Sequence, residues 1–201
     1  ATLNDFAAFN KKFHVPNNAV LVIAGDINIE KTKTLIDQYF GEIKRGNIVT
    51  RNLPKEDQIK ETIFKEAYDE NIQIPLKILA YRTPSMKTRE SRVLDMISTY
   101  LSGGQSSILY KKLVDKKKMA LQVLAANNAQ EDYGIYFIGG LPLGDTELST
   151  LTIEIDEEID KLKNELISER DFQKIQNKYE SQYVSSNSTV EGIANSLARY
   201  H

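Results

Sequence analysis

The chain has no cysteine, no tryptophan and only two histidines in 201 residues. Without cysteine there is no disulfide, no thiolate nucleophile and no cysteine-ligated zinc or iron–sulfur centre, and no guide to compartment, since both cytoplasm and periplasm hold such chains. The histidines, His14 and His201, are as uninformative. His14 is followed by Val-Pro-Asn-Asn, where an inverted zinc-binding helix needs Glu and His three and four residues on, and His201 is the last residue. Both read as surface or helix-end residues, and with no G-x-S-x-G elbow a Ser-His-Asp hydrolase has no support either. Charge of either sign is also lacking in excess: 26 Lys+Arg against 28 Asp+Glu leave a net charge of -2, which gives nucleic acid or an anionic lipid surface no hold. No apolar run approaches the roughly 20 residues of a membrane span.

What is present is an ordered series of amphipathic segments. Leu3, Phe6, Ala7 and Phe9 predict a short helix over 2–13, capped by Thr2 or Asn4 and stopped by Val15-Pro16-Asn17-Asn18. Ala19 to Ala24, closed by Gly25-Asp26, is a continuous aliphatic run of the kind found in a central strand buried on both faces. A helix stripe follows through Ile29, Leu35, Ile36, Tyr39 and Phe40, with Gly41 placed to end it in a left-handed conformation. Polar Lys44 to Pro54 reads as a loop separating this first β-α unit, residues 1–46, from the remainder at 55–201.

Strands are expected over 59–68 and 72–81, with Pro75 confining the second to a sheet edge or a bulge. Val93, Leu94, Ile97, Tyr100 and Leu101 predict a helix, Gly103-Gly104 breaks it, and Ser106, Ile108, Leu109 and Leu113 begin another. Met119–Ala126 and Tyr133–Leu141 read as an antiparallel hairpin. Leu148, Leu151, Ile155, Ile159, Leu162 and Leu166 mark a long helix; Ser168-Glu169-Arg170-Asp171 caps the next, and a third starts near Ser188. This order predicts an α+β fold, a mixed and largely antiparallel sheet with helices on one face. The chain opens on Ala1 rather than Met and ends within a helical pattern, so a single domain cut from a longer multidomain chain is expected.

Chemistry-bearing clusters all have structural readings. Ser102-Gly103-Gly104-Gln105-Ser106-Ser107 could cradle an anion with backbone N–H groups at a helix N-terminus, but it lacks the P-loop spacing and its lysine, and the favoured reading is a helix–helix turn. Lys111, Lys112, Lys116, Lys117 and Lys118 read as a solvated helix face, and Glu154, Asp156, Glu157, Glu158 and Asp160 as the wet side of an amphipathic helix. No residue is assigned as catalytic, metal-ligating or substrate-binding.

Phe6 to Gly41, with F-x-x-F-x-x-x-x-x-V-P-N-N-A-V-L-V-I-A-G-D, together with Tyr81-Arg82-Thr83-Pro84, Leu101 and Gly103-Gly104, and Ser106 to Leu113, resembles the second domain of the insulinase, pitrilysin and processing-peptidase family of zinc metallopeptidases. The resemblance implies that zinc and the H-x-x-E-H motif lie in a preceding domain and that an opposing half, on the same chain or a second subunit, completes a chamber around peptide substrates. In such a chamber one domain supplies an arginine and, seven residues on, a tyrosine to the substrate; here those positions are Val114 and Leu121. Neither can donate a hydrogen bond. The resemblance therefore implies a non-catalytic, chamber-forming domain of a zinc-dependent endopeptidase, inactive alone and without its own cofactor, or alternatively an inactive structural module of a non-peptidase relative.

Overall fold

The expected hairpin supplies two of the three strands of the sheet, its second strand lying at the centre. The computed structural model describes residues 1–47, 54 and 56–200, and the chain divides into two compact units, Phe64–Tyr179 and Ala1–Ile63 with Glu180–His201. In the first of these, β1 (Lys77–Pro84), β2 (Ala120–Asn128) and β3 (Tyr133–Pro142) form an antiparallel sheet of order β1-β3-β2. Tyr81 lies opposite Tyr136 and Leu79 opposite Ile138; Ala125 faces Ile138 from the other side. β1 begins two residues after Pro75 and occupies an edge, the one place where a residue without an N–H costs the ladder nothing.

Side chains alternate across a sheet, so the register decides which face is core. Val123, Ala125, Tyr136 and Ile138 are buried and pack with Leu101, Leu109, Leu113, Leu151 and Ile155. The last two belong to α4 (Leu148–Asn164), and Leu101 to α3 (Arg89–Ser102), which starts at the Thr88 cap. A Cβ on Gly140 would come 3.1 Å from Leu151 Cδ2, so the glycine sets how closely α4 approaches β3. Ser102 covers the free edge of β2: its hydroxyl donates to the Ala125 carbonyl at 3.1 Å and accepts the Ala125 N–H at 2.7 Å. The alternate residues Ile78, Ala80, Arg82, Ile135 and Phe137 point to the other face, where Ile135 is 52% and Ile78 49% exposed. Both helices thus lie on one face, as the α+β reading expects.

Tyr136 sits beneath α3 and is 4% exposed. Burial, aided by the charge of Asp95, pushes its pKa from 10.0 to about 12. Between those values the unfolded chain loses its phenolic proton while the folded chain keeps it, so stability should fall as pH rises from 10 to 12. Tyr136→Phe should flatten that part of the stability-versus-pH curve, followed by denaturant unfolding; an unaltered slope would mean that Tyr136 ionises as freely folded as unfolded.

In the other unit, α1 (Leu3–Phe13) begins with a capping box between Thr2 and Asp5, α2 (Ile29–Phe40) at Asn28, and α6 (Val190–Arg199) at Thr189. Asn17 holds the chain after α2 by pairing with both backbone groups of Gly46, at 2.8 and 3.2 Å. α5 (Glu169–Ser186), whose residues fall in both units, starts at the Ser168–Asp171 cap that its sequence predicts. Several expectations need correction. Ala19–Ala24 forms no strand among the described residues, and Val20, Leu21 and Ile23 are each more than 40% exposed. A strand exists only with a partner, and no strand is described in that unit to supply one. Residues 59–68 and 72–76 are likewise unpaired. Gly41 ends α2 at φ -63°, right-handed rather than left-handed. Most of the expected 44–54 loop, and His201, lie outside the described residues.

Candidate functional site

Three backbone irregularities fall within a dozen residues of one another. The helix expected after Gly103-Gly104 is, over Tyr110–Lys116, a π-helical turn. Its carbonyls reach further along the chain than an α-helix allows: the Lys117 N–H donates to Lys112 O at 3.0 Å and the Met119 N–H to Leu113 O at 2.8 Å. Lys118 then takes φ 53°, left-handed backbone that a lysine adopts only under outside constraint. Two residues later β2 carries a bulge, for Ala120 pairs with Pro142 and Gln122 with Leu141, leaving Leu121 as the extra residue. π-turns and bulges concentrate where a side chain must be re-aimed.

The bulge decides where Leu121 points. Ala120 and Val123 are buried on the helix-covered face, while Leu121, 47% exposed, and Gln122 both turn to the open face. Val114 is different: it is half-buried and packs on the core around Leu113. The two positions at which the resemblance would place an arginine and a tyrosine are therefore one core-flanking residue, Val114, and one exposed apolar residue, Leu121.

An ion cluster ties this segment to α4. Lys112 Nζ lies 3.0 Å from Glu154, 2.8 Å from Glu157 and 2.9 Å from Glu158, and also donates to the Glu154 carbonyl at 3.2 Å. Lys117 contacts Glu154, and Lys161 reaches Glu158 at 2.8 Å. The side chains of Lys112, Glu154 and Glu158 are only 16%, 12% and 7% exposed. Burial works against the charge on Lys112, but the carboxylates of Glu157, Glu158 and Glu154 outweigh it and raise its pKa above the usual lysine value. The Lys117 ammonium, opposed by burial and helped by Lys112, holds Glu154 below the ordinary carboxylate value. Burial likewise pulls Glu158 upward, and Lys161 and Lys112 bring it down.

This corrects the reading of both runs as plain solvated faces. Lys111 and Lys116 remain exposed, but Lys112, Glu154 and Glu158 are a mostly buried clasp. The signal was present in α4. Leu151, Ile155, Glu158 and Leu162 share one three-and-four-residue stripe, and a carboxylate on an apolar stripe has to meet a cation. All its members are charged and mutually paired, which fits a structural tie better than acid–base chemistry.

The remaining candidates take ordinary roles. His14 caps α1, exposed, with Nδ1 2.8 Å from the Asn10 side-chain amide. Gly104 has φ 109°, and Lys178 and Lys174 donate to the carbonyls of Gly103 and Ser106 at 2.8 and 3.2 Å. The turn offers these lysines carbonyl oxygens, as a helix C-terminus does. Among the described residues no group of three or more His, Asp or Glu side chains is arranged to hold a metal ion, so the donor set does not fit zinc. No described helix is long and apolar enough to cross a membrane.

Known proteins share the fold. A Helicobacter pylori protein described as zinc protease PqqE is 27% identical over 206 residues, covering 99% of this chain and 45% of its own length. A crystal structure of a protease from Helicobacter pylori superposes with a TM-score of 0.83 at 24% identity, over all of this chain and 49% of the other. The peptidase M16 inactive domain from Pseudomonas fluorescens gives a TM-score of 0.70 at 16% identity, over 99% and 46%. The chain thus spans about half the length of these relatives. The family model described as the peptidase M16 inactive domain matches residues 1–179, and the chain belongs to that family.

Proposed function

We propose that this domain is a non-catalytic wall of the chamber of a zinc-dependent endopeptidase acting on peptides or unfolded proteins. The observation that carries the reading is the one-sided sheet. Its open face presents Ile78, Ile135, Phe137, Leu121 and Leu124, with Arg82 the charged residue of the strand segments on that side. An exposed apolar face of this kind suits transient contact with extended chains of many sequences. Zinc and the water it activates would come from a preceding domain, and the opposing half would supply donors for the substrate carbonyl, since Val114 and Leu121 have none. The wall itself orients the peptide and excludes water.

Two measurements on different samples test this. The 201-residue chain alone should retain no stoichiometric zinc after dialysis and cleave no flexible peptide; chelator-sensitive cleavage by it would refute the assignment. In the longer protein, Ile135→Glu should lower kcat/KM for an apolar peptide about tenfold while zinc content stays constant. Unchanged turnover would remove the wall role and leave a scaffold.

A further inference from the structure

We propose that Tyr110–Gln122 is a conformational strap, latched to α4 by Lys112 and Lys117, and that the latch holds Leu121 and Gln122 in place on the open sheet face. The strap has the features of a segment with a second arrangement available. It begins in a π-turn, whose extra residue is less favourable than the α-helical path. It passes through left-handed Lys118 and ends in a one-residue bulge. Each departure costs free energy and persists only when neighbours over-determine it.

The neighbours that do so are charged and sit on one element. From the strap come Lys112 and Lys117; from α4 come Glu154, Glu157 and Glu158, with Lys161 beside Glu158. Lys112 emerges from within the π-turn, and Lys117 donates the backbone bond that closes it and carries the outer tie to Glu154. The same two residues therefore shape the turn and fasten it. The fastening is graded, because Lys117 is 42% and Glu157 52% exposed, whereas the Lys112–Glu158 contact is nearly dry. Salt or a competing charge reaches the outer ties first. The apolar anchor, Leu113 at 0% exposure, stays in the core and acts as the pivot.

The latch stands on this geometry alone; only its consequence for peptide contact rests on the wall reading. Hydrogen exchange in the 201-residue chain tests it, with the amides of Lys117 and Met119 as reporters, since both bond to π-turn carbonyls. Lys117→Met should speed exchange at these two amides at least tenfold, while β1–β3 amides such as that of Ile138 stay within about twofold of the parent. Wild-type chain in 1 M sodium chloride should show a smaller acceleration confined to the same amides. Equal acceleration in β1 and β3 would mean that the clasp merely adds global stability, and no acceleration would mean that it restrains nothing; either result overturns the strap. Glu157→Gln, at the exposed margin like Lys117, should speed the same two amides and leave the sheet amides unchanged. If exchange responds as expected but peptide turnover in the longer protein does not, the wall reading fails and the latch survives.

Discussion

Replacing Lys112 by Met is expected to destabilise the chain by about 3 kcal/mol, because it removes the buried ammonium shared by Glu154 and Glu158, each less than about one-eighth exposed, and leaves them only the more exposed Lys117 and Lys161. The aliphatic stem is kept, so the loss is chiefly electrostatic. For a chain of this length the melting midpoint should drop by about 6–12 °C. Two buried carboxylates and one ammonium are costly to desolvate, and their mutual attraction offsets that cost without a large surplus. The triple change Lys112→Met, Glu154→Leu, Glu158→Leu should therefore recover most of the loss. If the triple variant is as unstable as the single one, the clasp is a net source of stability rather than a specific fastener. Acid should act on the same groups. Both carboxylates have folded pKa values below the ordinary 4.5, so their contribution is present above that pH and fades as pH falls through the lowered values. Lys112, raised above 10.5, contributes fully below that pH and loses its contribution only in stronger alkali. In the Lys112→Met variant Lys117 and Lys161 still face the two carboxylates, so their pKa values should rise toward the ordinary range and the loss of stability in acid should be shallower than in the parent.

Helices were legible because their evidence is local. The stripe through Leu151 and Ile155 places both at 0% exposure, and the Ser, Thr and Asn residues at helix starts accept the backbone N–H groups they should. Legibility stops where the cause is distant. Leu166 continues the α4 stripe in sequence, yet it is 99% exposed because the helix ends at Asn164, before a further turn could carry it over the sheet. The run Ala19–Ala24 has every local mark of a buried strand, and periodicity says nothing about whether a partner is in reach. The hairpin succeeded where that run failed because its two strands are joined by a short polar turn and supply each other's ladder. The candidate site was the least legible part. A π-turn differs from an α-helix by one residue in its hydrogen bonding, and the apolar pattern Ile108, Leu109, Leu113 fits both. The bulge at Leu121 leaves no mark either, since alternation simply skips a beat between Ala120 and Val123.

That skipped beat makes neighbouring positions diverge sharply. Ala120 is 1% exposed and packed among Leu109, Leu113 and Val123, so Ala120→Phe must force a ring into a filled core and should cost about 3 kcal/mol or more. Leu121→Phe, one residue on, adds its ring to the open face and should change stability by no more than about 0.5 kcal/mol. An unbulged strand would also separate the two, but it would put Gln122 with Ala120 on the buried face. Gln122→Leu therefore completes the test. With the bulge in place Gln122 is exposed, and the change should be close to neutral; without it, replacing a buried amide by leucine would shift stability by a kcal/mol or more. The same geometry bears on function. Leu121→Tyr in the longer protein should be tolerated structurally, since its hydroxyl reaches solvent, whereas Val114→Arg has to turn a guanidinium out from the core edge. Introducing both should leave peptide turnover unchanged if this wall stands away from the zinc. A gain of tenfold or more would show that the open face meets the scissile bond, and that the family's missing donors had been restored to a working position.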